Sequence, residues 1–223
     1  MPALFDAETV HIITLTLRMT LLSTAISAAL GIPLGLWLGR VRFPGKTLVV
    51  MINRTLMASP PVVIGLVVYL ALMRDGPFGF LGLLFSFEAM VIAQVLLITP
   101  IICGMVYTAS NQHAERIRLF AATMGANRRQ TQILLIRELG NEIYFALVTG
   151  FGRAMSEVGA ILIVGGNIRH HTRTMTTSIS MLRNRGELDQ AILLGIVLML
   201  IAFGVQLAAS LIRKKERRTD ENF

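Results

Sequence analysis

The sequence predicts an all-α, polytopic integral membrane protein with about five transmembrane helices, and three observations carry that prediction. The 223 residues are 54% hydrophobic and only 15% charged, against roughly 25% charged in an ordinary soluble domain, and the mean hydropathy is +0.66. Five apolar runs reach the roughly 20 residues a helix needs to cross a bilayer core. The Lys and Arg stand in blocks between those runs, so the net charge of +8 reads as positive-inside topology. A nucleic-acid partner would call for a basic stripe with interleaved aromatics, and there is none. Once the runs are subtracted, no stretch remains that would bury a water-soluble core, and the chain is too apolar to be disordered. A single cysteine, Cys103, excludes an internal disulfide framework and a cysteine-based metal cluster.

The spans lie near 12–38, 48–73, 88–110, 139–165 and 190–212 and form one transmembrane domain over 1–223. The first contains Arg18 and Pro33, with Arg18 placed to snorkel toward the nearer interface. The second carries Asn53, Arg54 and the Pro60-Pro61 pair, the third Pro100, and the fourth Glu142, Arg153 and Glu157 among several glycines. Such interruptions suit helices that pack on protein or line a cavity, because lipid does not satisfy freed backbone groups. The fifth is uninterrupted by charge.

Charge then orients the spans. Arg40, Arg42, Lys46 and Arg54, the group Arg116, Arg118, Arg128, Arg129 and Arg137, and the terminal Arg213, Lys214, Lys215, Arg217 and Arg218 mark the cytoplasmic side. The connections holding Arg74, and Arg169, Arg173, Arg183 and Arg185, are diluted by Asp75, Glu88, Glu187 and Asp189 and are expected outside. An odd number of spans puts the amino terminus outside and the carboxyl terminus in the cytoplasm, in keeping with Asp6 and Glu8 and no Lys or Arg before residue 12. Without a basic n-region the first run is not expected to be a cleavable signal.

The cytoplasmic stretch 113–138 sets Glu115, Arg116 and Arg118 on one side and Ile117, Phe120, Ala121 and Met124 on another, which predicts a short amphipathic helix ended by Gly125. It suits either a helix lying on the bilayer or a docking surface for a partner. Within it, LFAATMGANRRQ resembles a degenerate form of the EAA loop of ABC importer permeases. Ala121, Gly125 and Ala126 match the pattern, while Leu119 and Glu138 stand where that loop has its Glu and its Pro.

Three longer segments resemble the tungstate-specific branch of ABC permeases, related to the molybdate and sulfate permeases: NRTLMASPPVVIGLVVYLALMRDGPFG at 53–79, AMVIAQVLLITPII at 89–102, and GRAMSEVGAILIVGGNIRHHTRTMTTSI at 152–179. The GGNI…TRTMTT run discriminates best among the three anions. The resemblance implies an ABC type I importer-like permease that moves tungstate inward and is fed by a periplasmic tungstate-binding protein. It also implies a homodimer with the pathway on its two-fold axis. Molybdate or sulfate import is the alternative within the class, and an ion-coupled secondary carrier the alternative outside it.

Physical chemistry accommodates that role. Moving a bare dianion into hydrocarbon would cost on the order of tens of kcal/mol, so a protein-lined route and an energy source are required. Gly45-Lys46-Thr47 mimics the end of a P-loop, but Arg40 stands where its first Gly belongs. No cofactor is therefore expected on this chain; ATP would sit on a separate cytoplasmic ATPase. That subunit would be coupled through Glu115, Arg116, Leu119, Phe120, Ala121, Gly125 and Ala126.

Pathway candidates are Pro60, Pro61, Arg153, Glu157 and Gly159. Arg153 and Glu157 are one helical turn apart and share a face. Either they form a neutralised pair that fixes a glycine-rich helix, or they form a gate element, with Gly152, Gly159, Gly165 and Gly166 permitting close helix approach. Pro60-Pro61 either kinks its helix or opens it and leaves backbone groups for an oxyanion. Asn167, Arg169 and Arg173 are outer-loop candidates for contact with the binding protein. His170 and His171 lack a third ligand at metal spacing, so no metal is expected. Thr172, Thr174, Thr176, Thr177 and Ser178 suit the cap of a re-entrant or interfacial helix starting after Arg173. No catalytic constellation is present in the sequence, which disfavours a membrane enzyme.

Overall fold

The computed structural model describes residues 7–220, and for Ala114, Arg118, Arg128 and residues 212–220 the backbone alone. Asp6 and the side chains of the terminal basic cluster, Arg213 to Arg218, thus lie outside the described part. Among the described residues there are nine α-helices and no strand: α1 Ala7–Arg40, α2 Lys46–Met57, α3 Pro61–Leu72, α4 Phe87–Thr123, α5 Arg128–Glu138, α6 Gly140–Met155, α7 Gly159–Gly165, α8 Met175–Asn184 and α9 Leu188–Asp220.

Small residues dictate the central packing. On α1, Ser23, Ser27, Gly31, Gly35 and Gly39 recur every fourth position and so form one stripe. Along that stripe α1 lies directly on α4. Ser23 meets Gln94, Gly31 meets Ile102, and a Cβ on Gly35 would stand 2.6 Å from the Cys103 carbonyl oxygen. Close backbone approach at small residues is the usual basis of helix association where lipid offers no hydrophobic driving force. The partners ascend together in number, so α1 and α4 run parallel, and the chain between them has to return to the end where it began.

It returns through an interrupted span. Pro61 takes the first helical position of α3, where its missing N–H costs nothing, and Pro60 before it is extended, with φ −62° and ψ 129°. The bend between α2 and α3 is 101°. The next return is interrupted as well: α6 and α7 bend by 56° across residues 156–158. Gly150 packs on Ile98 and Ile102, and Gly165 on Met90, so this pair descends α4 antiparallel. With α9, the chain passes between the two ends five times.

The interruptions anticipated in two spans are located, and one expectation is corrected. The spans anticipated over 48–73 and 139–165 are each two helices. The apolar part of α4, Phe87–His113, agrees with the third span, but the helix itself continues to Thr123, so the short amphipathic helix anticipated after His113 is the far end of α4, followed by the separate helix α5. Nothing in Asn111, Gln112, His113 or Glu115 breaks a helix, and polarity marks where the hydrocarbon ends, which is a different boundary. Gly125, with φ 68°, does terminate that helix, and Asn127 and Gln130 then form a reciprocal capping box that starts α5.

Two buried clusters fill the bundle, both threaded by α4. Met19, Leu72, Met90, Ile161 and Val164 occupy the end where α1 begins; Leu36, Ile98, Ile102, Leu135 and Leu139 occupy the other. α9 packs mainly on α8, while Ile192, Ile196, Met199, Phe203 and Leu207 remain exposed, as suits a lipid-facing helix.

Candidate functional site

The two interruptions meet. A Cβ on Gly65 of α3 would lie 2.6 Å from Ala160 Cα of α7, and one on Gly159 would lie 2.8 Å from Val62 Cγ2 and 3.9 Å from Glu157 Oε1. The Pro60-Pro61 break is thereby brought beside the break at Ser156–Val158, and Pro61, Glu157 and Gly159 belong to one junction. Pro60 and Ser156 are exposed on its open side.

Breaking a helix frees backbone groups that must be answered inside the membrane. At the second break, Ser156 N and Glu157 N turn back to the Gly152 and Ala154 carbonyls, and side chains answer other groups. Glu157 Oε1 accepts from Ala160 N at 3.1 Å, and its own carbonyl accepts from Thr176 Oγ1 at 2.7 Å. Gln94 Nε2 donates to the Ala154 carbonyl at 2.9 Å, while Gln94 Oε1 accepts from Ser23 Oγ at 2.6 Å. Gln94 is fully buried and joins α1, α4 and α6 in a single relay.

Arg153 and Glu157 form an ion pair, Nη2 to Oε2 at 3.4 Å, with side-chain exposures of 36% and 3%. Glu157 is thus spent on the local architecture, a backbone N–H with one oxygen and Arg153 with the other. Arg153 is different. A guanidinium has five N–H donors, and this one, at the end of α6, is partly open. It supplies cationic donors next to a junction of interrupted helices, an arrangement suited to a passing oxyanion.

The loop after α7 is built, not loose. Thr172 Oγ1 donates to the Gly165 carbonyl and accepts from Ile168 N at 3.0 Å. Asn167 and His170 take positive φ values of 51° and 60°. Glu8 of α1 gathers this loop in: Arg169 Nε donates to Oε2 at 3.0 Å and Arg173 Nη1 to Oε1 at 2.9 Å. Arg169 stays exposed, whereas Arg173 is largely buried. Thr174 caps α8 in a reciprocal box with Thr177, and Met175 N donates to Thr16 Oγ1 at 2.9 Å, so the threonine cluster ties α8 to α1 and to the second break.

At the opposite end, α4, Gly125 and α5 make a tip. Leu119, Phe120 and Met124 are exposed there, Phe120 to 59%, and Glu115 and Arg116 are exposed beside them. Ala121 is only 1% exposed, and its carbonyl accepts from Ala126 N at 2.9 Å. Of the coupling candidates, Ala121, Gly125 and Ala126 therefore shape the turn, and Leu119 and Phe120 are presented outward. Glu115 also lines a cavity of about 890 Å³ with Arg40, Arg42 and Lys46, which places the first and second basic groups at the same end of the bundle.

The sequence reading missed Gln94 and Ser23. The four-residue recurrence of Ser23, Ser27, Gly31, Gly35 and Gly39 was the available signal, and a lone Gln inside an apolar run was the second. It also over-read Gly152, where an added Cβ would meet nothing closer than 3.6 Å.

Five passages, two of them broken at a shared polar junction, define the membrane component of a transport system. The chain belongs to the family of binding-protein-dependent transport system inner membrane components, whose pattern matches residues 31–218. It is a multi-pass inner membrane protein. It is similar to the tungstate uptake system permease protein TupB of Peptoclostridium acidaminophilum, 45% identical over 201 residues that cover 90% of this chain and 88% of that one. It is 34% identical to the protein of the same name from Campylobacter jejuni, over 72% of this chain and 67% of that one. The molybdenum transport system permease protein ModB of Azotobacter vinelandii is 29% identical over 75% of this chain.

Proposed function

We propose that this chain is the permease subunit of a tungstate ABC importer, working as one half of a homodimer. The observation that carries the reading is the junction of α3 and α7 at Gly65 and Ala160 with Arg153 beside it, in a chain 45% identical to a tungstate permease. Interrupted helices that meet inside a bundle are the usual framework of a substrate path. A single bundle leaves Pro60 and Ser156 on an open side, and a two-fold copy would close a route over them. The end carrying Arg40, Lys46 and Phe120 faces the cytoplasm, by the weight of its basic residues. The amino terminus and the Arg169 loop face the opposite compartment, where a tungstate-binding protein delivers the anion. ATP is hydrolysed by a companion subunit docked on Leu119 and Phe120, and this chain binds no cofactor.

Proteoliposomes holding this chain, its ATPase and the binding protein should take up tungstate only when ATP is supplied, with molybdate and sulfate competing weakly. Uptake by the chain alone, or uptake that needs a proton gradient and no ATP, would overturn the proposal.

A further inference from the structure

At the end where α1 begins, a groove of about 420 Å³ runs between α8 and α9 and is closed by the first turns of α1. One wall carries Arg173, Ser178 and Arg185; the other carries Leu193, Leu194 and Val197 of α9. Two donors in it lack an acceptor. Ser178, 3% exposed, has no partner for Oγ, and Arg173 Nε is buried and unpaired although its Nη1 is bonded to Glu8. Buried donors left unsatisfied are costly and uncommon, and both residues line this groove.

We infer that the groove holds one anionic phospholipid, its phosphodiester on Arg173, Ser178 and Arg185 and an acyl chain along Leu193, Leu194 and Val197. The charge complements that headgroup: Arg169, Arg173 and Arg185 against Glu8 and Glu187 leave one net positive charge on the lining. A tetrahedral oxyanion supplies acceptors to both orphan donors, which is the chemistry a lipid phosphate shares with a free anion. The apolar wall distinguishes the two. It continues down the exposed face of α9, and a free anion would leave it in contact with nothing. The lining of the groove includes none of the junction residues Gly65, Glu157, Gly159 and Ala160. The inference is independent of which compartment this end meets and of which anion is transported.

The test is mass spectrometry of the full-length chain purified in mild detergent and supplied with phosphatidylglycerol, phosphatidylcholine or inorganic phosphate. The wild type should retain one phosphatidylglycerol per chain, and Arg185→Gln, Ser178→Val and the groove-filling Leu194→Trp should each lower the retained fraction at least about tenfold. Should Ser178→Val fail to fold, the other two variants decide. Equal retention of phosphatidylcholine, unchanged retention in the variants, or displacement of the lipid by millimolar phosphate or tungstate would overturn the inference. So would a cross-link between two copies through Leu194→Cys in lipid-depleted protein, since it would make the groove an interface between chains.

Discussion

Gly65 of α3 and Ala160 of α7 are in backbone contact: an added Cβ on Gly65 would stand 2.6 Å from Ala160 Cα and 3.2 Å from its carbonyl oxygen. A backbone atom cannot rotate away as a side-chain tip does, so the two half-helices can be no closer and Gly65 tolerates no substituent.

Gly65→Val should therefore separate the junction. Overpacking of this kind costs about 1–3 kcal/mol, and the predicted outcome is a lower melting temperature together with loss of tungstate uptake. Gly152→Ala, at a glycine with open surroundings, should change neither quantity. Equal tolerance at the two positions would show that the α3 and α7 contact is dispensable.

Glu157→Gln retains an acceptor for Ala160 N and removes only the charge. We expect it to assemble normally, with uptake altered through the release of Arg153. Glu157→Ala also orphans a buried N–H, at a cost of about 1–3 kcal/mol, and should melt earlier. Normal transport by Glu157→Gln would remove the ion pair from any essential role.

Gln94→Leu removes the acceptor of Ser23 Oγ and one donor to the Ala154 carbonyl, although Ser23 Oγ keeps the Thr20 carbonyl at 3.1 Å. A loss of about 0.5–1.5 kcal/mol for each bond removed follows, because the Ala154 carbonyl still accepts from Glu157 N at 3.3 Å. In a cycle with Ser23→Ala, the double variant should cost less than the two single costs summed, because the residues share one relay. Strict additivity would dissolve the relay.

Paired Leu119→Ser and Phe120→Ser should reduce the ATPase that co-purifies by roughly tenfold or more, since each apolar side chain buried at an interface contributes about 1.5–3 kcal/mol. The permease itself should melt as before. Ala121→Leu should do the reverse and destabilise the tip, because Ala121 is enclosed. Undiminished co-purification from the double variant would place the ATPase contact elsewhere.

What the sequence disclosed was set by how local each feature is. Apolar runs and capping residues are local, so α1, α9, the Gly125 turn and the Thr174 cap were legible. Breaks at Pro60-Pro61 and Glu157 were visible as interruptions, but their angles depend on partners far along the chain, such as Gln94 for the Ala154 carbonyl. The ion pair at one-turn spacing was foreseeable; the Glu8 bonds to Arg169 and Arg173 were not, since no rule of spacing links residues more than 160 positions apart. Burial of Ala121 beside exposed Phe120 likewise required the turn into α5.

α4 carries both Phe120 and Gln94 on a continuous helix of 37 residues, about 39 Å apart at 1.5 Å per residue. On the proposed docking, a motor that tilted the tip would hold the handle of a stiff lever whose far arm grips the second break. Pro100, which removes one rung of the ladder between them, is the place where that stroke would be softened.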